Sequence, residues 1–458
     1  MTPVNGQFQD GLTLFGIRRM MEGVIPPTLC TVSADRMPNV SYLSLAEYVD
    51  PLHIALSYQF FNRSRENVLA TRRAALSLDD GYSGAGVVLQ LEYLRTETEG
   101  PVFERLRAKL MGVASHSGMD KVFHLRGADI YRVLEIRRVP GRKEFPGAAP
   151  RVDIATNSRL LSERMANCGE LAELLDTFLD GLAELLRIDH AMLWLYDPAQ
   201  CVLTLLASRG YDHDGAGAEI SLGDGLVGTA VREGVPIRVG HMMNMARYVR
   251  AARDRADALG YEPVMKSEIP LPGLQEPRSQ LAVPLRARGR VLGALLVEST
   301  HDQNFSYDDE DALMLLCGQF AVAMSFMKPP AEPEPAPREA AGHTAPAPSG
   351  PPLRLRRFAR DNSVFLDDVY LIRGVAGAIL WKLASEFQRS GRREFSNREL
   401  RLAPDLRLPD VQDNLEVRLL LLQRRLAEQR ADIQLQKCGR GRMRLTVARP
   451  IVMEQGDT

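Results

Sequence analysis

The chain has few cysteines, and none of them stand close together. Its five cysteines are scattered, and no two form a CxxC pair. This spacing argues against a disulfide framework and against a zinc cluster, and it is typical of reduced thiols in a cytosol. We therefore expect no metal site. The cysteines are Cys30, Cys168, Cys201, Cys317 and Cys438.

Long apolar runs are absent as well. A membrane helix needs about 18 consecutive apolar residues, and no segment provides them. The first residues, MTPVNGQFQDG, lack the basic start and apolar block of a secretory signal. We therefore expect a cytoplasmic protein with no membrane partner.

Positive and negative charges nearly cancel over the whole chain, but they do not cancel within its parts. Residues 353–458 contain 21 Lys and Arg against 14 Asp and Glu, a formal charge of +7. The other 352 residues contain 36 against 44, a formal charge of -8. A basic C-terminal part on an acidic body indicates nucleic acid as the first partner to consider.

The length of 458 residues predicts two to four domains. Residues 329–352 are rich in proline and lack apolar side chains larger than alanine, so we expect a disordered linker there. Glycine and proline mark a second boundary at 139–153. Helical spacing of apolar residues predicts one long helix over 154–188, which either packs on the next domain or pairs two chains as a homodimer. The predicted domains are 1–150, 151–328 and 353–458.

The first domain is rich in short strands. Residues 26–58 contain three predicted strands, with turns at Ala34-Asp35-Arg36 and Val49-Asp50-Pro51. A loop, a helix and three more strands follow. Short strands with regular turns and few helices indicate a barrel.

The strand order and the segment SYQFFNRSRENVLATRRAALSL resemble the flavin-binding split barrels of the pyridoxamine-phosphate-oxidase-like family. The resemblance implies FMN, with Ser64 and Arg65 on its phosphate and Arg63 and Asn67 nearby. A helix N-terminus with basic donors also suits a phosphate on chemical grounds. The alternative is that Arg63 and Arg65 are a solvated loop pair. By the same resemblance, the flavin ring is lined by Tyr42, Leu43, Ser44, Tyr58 and Gln59.

The oxidase's C-terminal substrate-binding stretch, rich in Trp, Arg and His, has no counterpart here. A flavin in this domain would therefore be sensed or carried, and pyridoxamine phosphate oxidation is not expected.

The second domain contains GLVG at 225–228, Gly234-Val235-Pro236, Val283-Pro284-Leu285 and Gly293, in that order. With these motifs it resembles a GAF domain. The resemblance implies either a pocket for an unknown small ligand beneath the sheet or a dimerisation unit. No Ser-His-Asp set or HExxH motif occurs in this domain, so we expect no catalytic residues for hydrolysis.

In the last domain we predict a hairpin at 364–372, a helix at 376–388, a second helix capped by Ser396 and Glu399, and a third helix at 410–429. A final hairpin turns at Gly439-Arg440-Gly441. With these elements the domain resembles the winged-helix output domain of bacterial response regulators. The resemblance implies that the third helix enters the major groove of DNA. The implied DNA contacts are Asn414, Arg418, Arg424 and Arg425 on the helix and Lys437, Arg440, Arg442 and Arg444 on the hairpin.

The third helix also allows another interpretation. At 100° per residue, Leu415, Leu419, Leu422 and Leu426 fall within an arc of about 60° and predict a core face. The opposite face carries Val417, Leu420 and Leu421, where a groove reader is expected to be polar and basic. Such a face is also typical of a protein contact.

These patterns predict an α+β multidomain protein: a split β-barrel, a GAF domain with an α/β/α arrangement, and a winged helix. The favoured function is a ligand- or redox-responsive regulator, with transcription as its output. One alternative is an FMN-dependent oxidoreductase with accessory domains. The other is a signalling adaptor that uses its winged helix for protein contacts and does not bind DNA.

Overall fold

The computed structural model shows a multidomain protein of mixed helices and sheets, in three modules. We call residues 8–140 the N-terminal module, 152–326 the middle module and 350–456 the C-terminal module. None of the described helices is long and apolar enough to cross a membrane. Most of the predicted linker, residues 329–349, lies outside the described residues. The structure describes residues 8, 11–21, 25–43, 45–58, 63–80, 83–116, 125–140, 152–240, 271–326, 350–403, 406, 415–429, 432–439 and 441–456.

The N-terminal module contains a seven-stranded antiparallel sheet in the order β2-β1-β5-β6-β7-β4-β3. Buried and more exposed side chains alternate along β5, so one face of the sheet packs on a core around Leu76 and Leu89. The strands are β1 (Thr28–Val32), β2 (Pro38–Tyr42), β3 (Ala46–Asp50), β4 (His53–Tyr58), β5 (Arg73–Asp79), β6 (Gly86–Glu97) and β7 (Gly127–Arg138). The helices are α1 (Leu14–Ile17), α2 (Arg63–Thr71) and α3 (Pro101–His116), and a 3-10 turn spans Arg18–Met21.

Residues 26–58 form four strands, so the prediction of three was wrong. The chain leaves one edge of the sheet after Tyr42 and enters the opposite edge at Ala46. Residues 39–50 contain no glycine or proline to mark the break between the two strands, so the sequence predicted one strand there. Both predicted turns are present. Arg36 adopts a left-handed φ of 66°, and the Asp50 carboxylate accepts hydrogen bonds from the backbone N–H groups of Leu52 and His53.

The middle module has a six-stranded sheet in the order β10-β9-β8-β13-β12-β11, with helices on both faces. Helices α4, α5 and α7 contribute to the core on one face, and α6 packs on the other. The strands are β8 (His190–Asp197), β9 (Val202–Arg209), β10 (Glu219–Ser221), β11 (Ile237–Val239), β12 (Ser279–Ala287) and β13 (Arg290–Ser299). The helices are α4 (Ile154–Ala166), α5 (Leu171–Leu186), α6 (Gly225–Glu233) and α7 (Tyr307–Phe326).

The single helix predicted over 154–188 is two helices. The backbone N–H of Asn167 bonds to the carbonyls of Arg164 and Met165, which closes α4. The Glu173 side chain then accepts a hydrogen bond from the Gly169 backbone N–H at 3.0 Å. The two helices pack on each other, with Leu161 against Gly181, where any added side chain would collide.

The C-terminal module has two small sheets. The first has the order β16-β15-β14-β20, and the final strand β20 pairs parallel to β14. The second has the order β17-β19-β18 and includes the predicted final hairpin. The strands are β14 (Leu353–Phe358), β15 (Ser363–Leu366), β16 (Val369–Ile372), β17 (Glu394–Ser396), β18 (Ile433–Lys437), β19 (Arg442–Val447) and β20 (Ile451–Gly456). The helices are α8 (Gly374–Ser390), α9 (Asn397–Arg401) and α10 (Leu415–Glu428).

The modules are packed together. Helix α3 of the N-terminal module contacts α6 and β11, and Ala108 is buried within the apolar cluster of the middle module. Arg107 of α3 lies 2.5 Å from Glu233 of α6. A continuous cluster of buried apolar residues runs from α5 and α7 of the middle module into α8 and α10 of the C-terminal module.

Candidate functional site

The first candidate site is a polar cluster at the start of α2 in the N-terminal module. Ser64 is buried and accepts a hydrogen bond from the Asn39 side-chain amide at 2.8 Å. Its hydroxyl also shares a hydrogen bond of 2.8 Å with the Ser41 hydroxyl. One turn later, the buried Asn67 amide donates to the Thr31 hydroxyl at 3.1 Å. Strands β1 and β2 therefore supply the polar partners of this helix start.

Arg65 lies on the other side of α2 and faces β6 and β7. Its guanidinium pairs with Asp129, donates to the Thr96 hydroxyl at 2.9 Å and lies 3.7 Å over the ring of Tyr58. Burial lowers the pKa of Arg65, but the hydrogen bond and charge of Asp129 outweigh it and raise that pKa above its ordinary value. Asp129 thus neutralises the cation that the resemblance assigns to phosphate.

The structure brings together only part of the predicted flavin set. Ser64 and Asn67 share the cluster with β1 and β2, while Tyr58 and Arg65 stack beside it. Tyr42 is 79% exposed and follows Ser41 in β2, so it points to the opposite face of the strand. Leu43 packs against the core, Arg63 is exposed, and Ser44 and Gln59 lie outside the described residues.

Sequence reasoning missed Asn39 and Ser41, which complete the polar cluster. The alternation of polar and apolar residues in β2 could have indicated that both face the same side. Hydroxyls, an amide and a helix N-terminus are a donor set that suits phosphate oxygens. The cluster therefore fits an FMN phosphate through these groups, with the Arg65 charge already balanced.

The second candidate site is the face of α10 that points away from its own module. Leu415, Leu419, Leu422 and Leu426 are buried in the C-terminal core, as predicted. Val417, Leu420 and Leu421 on the other face are also buried, at 7%, 9% and 4% exposure. Helix α10 contacts β9 and α5 of the middle module there. The middle module of the same chain therefore covers these aliphatics.

Ion pairs surround this apolar contact. Arg418 lies 3.2 Å from Asp197, and Arg424 lies 2.5 Å from Asp176 and 3.8 Å from Asp214. Arg373 pairs with Glu219, and Lys437 lies 2.5 Å from Glu170. In each pair the cation belongs to the C-terminal module and the acid to the middle module. A gap of about 20 Å³, the size of one water molecule, lies between them beside Asp197, Glu219 and Arg418.

The other predicted DNA contacts have mixed surroundings. Arg425 is buried and donates to the Leu371 carbonyl at 2.9 Å, so it holds α10 to β16. Arg444 pairs with Glu394 at 2.7 Å within the small sheet. Arg442 is exposed to solvent. Asn414 and Arg440 lie outside the described residues.

A third cluster lies on the sheet of the middle module, on the face toward α6. Glu298 is 4% exposed and accepts hydrogen bonds from the Gln280 amide at 2.5 Å, the Tyr211 hydroxyl at 2.9 Å and the Leu274 backbone N–H at 3.1 Å. Burial and the nearby Glu298 raise the pKa of Tyr211. Among the described residues, no arginine, lysine or histidine forms an ion pair with Glu298. Within the same residues, no group of three His, Cys, Asp or Glu could hold a metal ion.

Comparisons with known proteins identify the middle module. A comparison with curated proteins gives no match. Solved structures that are similar include the GAF domain of an Acinetobacter phosphoenolpyruvate-protein phosphotransferase, which is 22% identical and covers 37% of this chain and 91% of that chain, with a TM-score of 0.30. A free methionine-R-sulfoxide reductase from Neisseria meningitidis is 20% identical, covering 39% and 92%, with a TM-score of 0.29.

An FMN-binding protein from Syntrophomonas wolfei subsp. wolfei is also similar, with 21% identity, coverage of 28% of this chain and 86% of that chain, and a TM-score of 0.24. Residues 168–325 match the family model described as GAF domain. The middle module of this chain is therefore a GAF domain.

Proposed function

We propose that this chain is a cytoplasmic ligand-responsive regulator whose GAF domain controls a DNA-binding C-terminal module. The observation that carries this proposal is the direct packing of α10 on the GAF domain, with charged residues of both modules in contact. A ligand that changes the conformation of the GAF domain would therefore act directly on α10.

The DNA-binding role is supported by the order of elements. Helices α8, α9 and α10 are followed by the β18–β19 hairpin, which is the order of a winged helix. The region carries the formal charge of +7, and Arg442 on the hairpin is exposed. Recovery of genomic DNA fragments with the tagged chain tests this role. Arg442→Glu should reduce recovery, and equal enrichment of DNA by that variant would reject a DNA contact by this hairpin.

The adaptor function has less support than DNA binding. An adaptor would use the apolar face of α10 for a separate protein, but the GAF domain already covers Val417, Leu420 and Leu421 on that face. No separate protein partner is needed to explain these leucines.

For the GAF ligand, we propose a small molecule with a positively charged amine or guanidinium group. A buried carboxyl group with only neutral partners is the environment that such a group would complement. Thermal unfolding with a panel of primary amines and guanidinium compounds tests this. The expected stabilisation should disappear in Glu298→Gln, and equal stabilisation of that variant would exclude Glu298 as the ligand contact.

For the N-terminal module, we propose that Ser64, Asn39 and Ser41 hold the phosphate of FMN, which would supply redox chemistry to a sensor. The alternative is an FMN-dependent oxidoreductase. Titration with FMN, followed by its visible absorption, tests binding, and Ser64→Ala should abolish it. Turnover of a nicotinamide cofactor by the loaded protein would favour the enzyme.

We also propose a homodimer through β2, a sheet edge that the described strands leave unpaired. Val40 and Tyr42 on its outer face are 65% and 79% exposed. Exposed apolar side chains on an open strand edge favour pairing with a second copy. Light scattering should give a dimer for the natural chain and a monomer for Val40→Asp.

A further inference from the structure

The GAF surface that contacts α10 is acidic, and it meets the same side chains that the proposed function assigns to DNA. Arg418 and Arg424 both point at GAF carboxylates. A phosphate backbone is also a row of negative charges spaced along a groove. The GAF domain therefore presents to α10 the type of partner that DNA would present.

The two partners cannot be bound together. The major groove admits a helix whose outer face reaches the base edges. Here that outer face, with Val417, Leu420, Leu421 and Arg424, lies on β9 and α5. A duplex could reach it only after the GAF domain had left.

We infer that the structure is a closed state, in which the acidic face of the GAF domain occupies α10 and excludes nucleic acid. This inference rests on the proposed DNA-binding function and adds its regulation. Release of α10 from the GAF domain is the step that would allow binding.

The contact has features of an interface that can open. The acid partners Glu170 and Asp176 are 52% and 60% exposed, and such pairs hold only weakly because water and salt screen them. The Nε–H of Arg424 is buried without an acceptor among the described residues, so the GAF domain leaves part of its donor set unused. The buried leucines supply the part of the contact that salt does not screen.

One loop connects this interface to Glu298, which we propose as the contact for the GAF ligand. The loop between β9 and β10 carries Tyr211, whose hydroxyl donates to Glu298. Three residues later, Asp214 pairs with Arg424, and the Gly215 backbone N–H donates to Glu428 of α10 at 2.8 Å. A ligand that takes the Glu298 carboxyl group from Tyr211 would move the loop that holds the last turn of α10.

The test uses the full chain and reverses the charge of acidic side chains on the GAF side of the interface only. The opening variant combines Glu170→Lys, Asp176→Lys and Glu219→Lys, each of which faces a cation of the C-terminal module. The matched control combines Glu163→Lys, Glu184→Lys and Glu276→Lys, which add the same charge to the GAF domain. Glu163 and Glu184 pair only with α4 arginines in the described structure, and Glu276 is exposed.

Two measurements are made on each protein: hydrogen exchange of the α10 amides, and the affinity for sheared duplex DNA of mixed sequence by fluorescence anisotropy. We expect faster α10 exchange and about tenfold tighter DNA binding in the opening variant than in the matched control, because a larger fraction of the chain is open. Added Arg442→Glu should weaken DNA binding in both without changing α10 exchange.

The other outcomes separate the two proposals. If α10 exchange rises but the opening variant and the control bind DNA equally well, DNA binding stands and the closed state is wrong. Unchanged α10 exchange would also overturn the closed state, because the acids would not hold the helix. If neither variant nor the natural chain binds duplex DNA, the proposed function fails, and the exclusion of nucleic acid fails with it.

Discussion

Arg424 of α10 lies 2.5 Å from Asp176 of α5, although 248 residues separate them in the chain. Family resemblance places this arginine on DNA, and the structure places it on a carboxylate of the GAF domain. Arg418, which the resemblance also places on DNA, likewise lies 3.2 Å from Asp197 of the GAF domain. The charge of α10 is therefore balanced within the chain.

Reversing both members of the Arg424–Asp176 pair tests this contact. Arg424→Asp and Asp176→Arg should each loosen α10, and the double variant should recover part of the loss. The coupling energy should be small, about 0.2–1 kcal/mol, because the Asp176 side chain is 60% exposed. Hydrogen exchange of α10 in the four proteins measures it. Losses that simply add would show that the two side chains do not interact.

The apolar part of the contact should dominate its stability. Changing Leu420 and Leu421 to serine places hydroxyls in a buried apolar contact and removes its packing, so we expect a loss of at least about 2 kcal/mol in the free energy of unfolding. Leu402→Ser is the control, since Leu402 is 71% exposed and should change stability by less than about 0.5 kcal/mol. Urea unfolding measures both. A loss no larger than that of the control would mean that the leucines do not hold the modules together.

These contacts show which parts of the fold and of the candidate sites the sequence could predict and which it could not. The spacing of Leu415, Leu419, Leu422 and Leu426 predicted the core face of α10 correctly, because helical periodicity depends only on neighbours within the helix. The GAF motifs were confirmed by the family model. The acids at Asp176, Asp197 and Asp214 could not be foreseen, since they come from separate elements that meet only after folding. The cluster of Tyr211, Gln280 and Glu298 escaped prediction for the same reason.

The pair of Arg65 and Asp129 should be important for the stability of the N-terminal module. Both side chains are largely buried, at 12% and 10% exposure. Arg65→Ala leaves the Asp129 carboxylate without its cation, and we expect a loss of about 3–5 kcal/mol. Arg63→Ala, two residues earlier and exposed, should cost less than about 0.5 kcal/mol. Thermal unfolding of both variants decides whether Arg65 is structural or a solvated loop residue, since a solvated residue would behave like Arg63.

The loop that touches α10 should make stability depend on pH. Burial raises the pKa of Asp214, and nearby Glu428 adds to this, while hydrogen bonds from Ser208 and the charge of Arg424 oppose it. The folded chain therefore keeps a proton on Asp214 where the unfolded chain has lost it. This contribution is complete below the ordinary carboxyl pKa of about 3.9 and is lost as the pH rises through the raised value.

Asp214→Asn should remove that contribution, so stability should fall less steeply with rising pH in this pH window. Urea unfolding of the natural chain and the variant at a series of pH values gives the two slopes. Asp212→Asn, an exposed change in the same loop, is the control and should leave the slope unchanged. Parallel curves for the natural chain and Asp214→Asn would show that Asp214 does not bind the extra proton.

Glu298 should be important for the stability of the GAF domain. Removing the carboxyl group in Glu298→Ala leaves the donors of Gln280, Tyr211 and Leu274 without their acceptor, at about 1–3 kcal/mol for each buried group that water cannot reach. Glu298→Gln keeps the size and one acceptor oxygen, so its loss should be smaller. Glu276→Ala is the exposed control. Thermal unfolding should show the smallest loss of stability in the control, a larger loss in the glutamine variant and the largest loss in the alanine variant. An alanine variant as stable as the control would show that these hydrogen bonds contribute nothing to the fold.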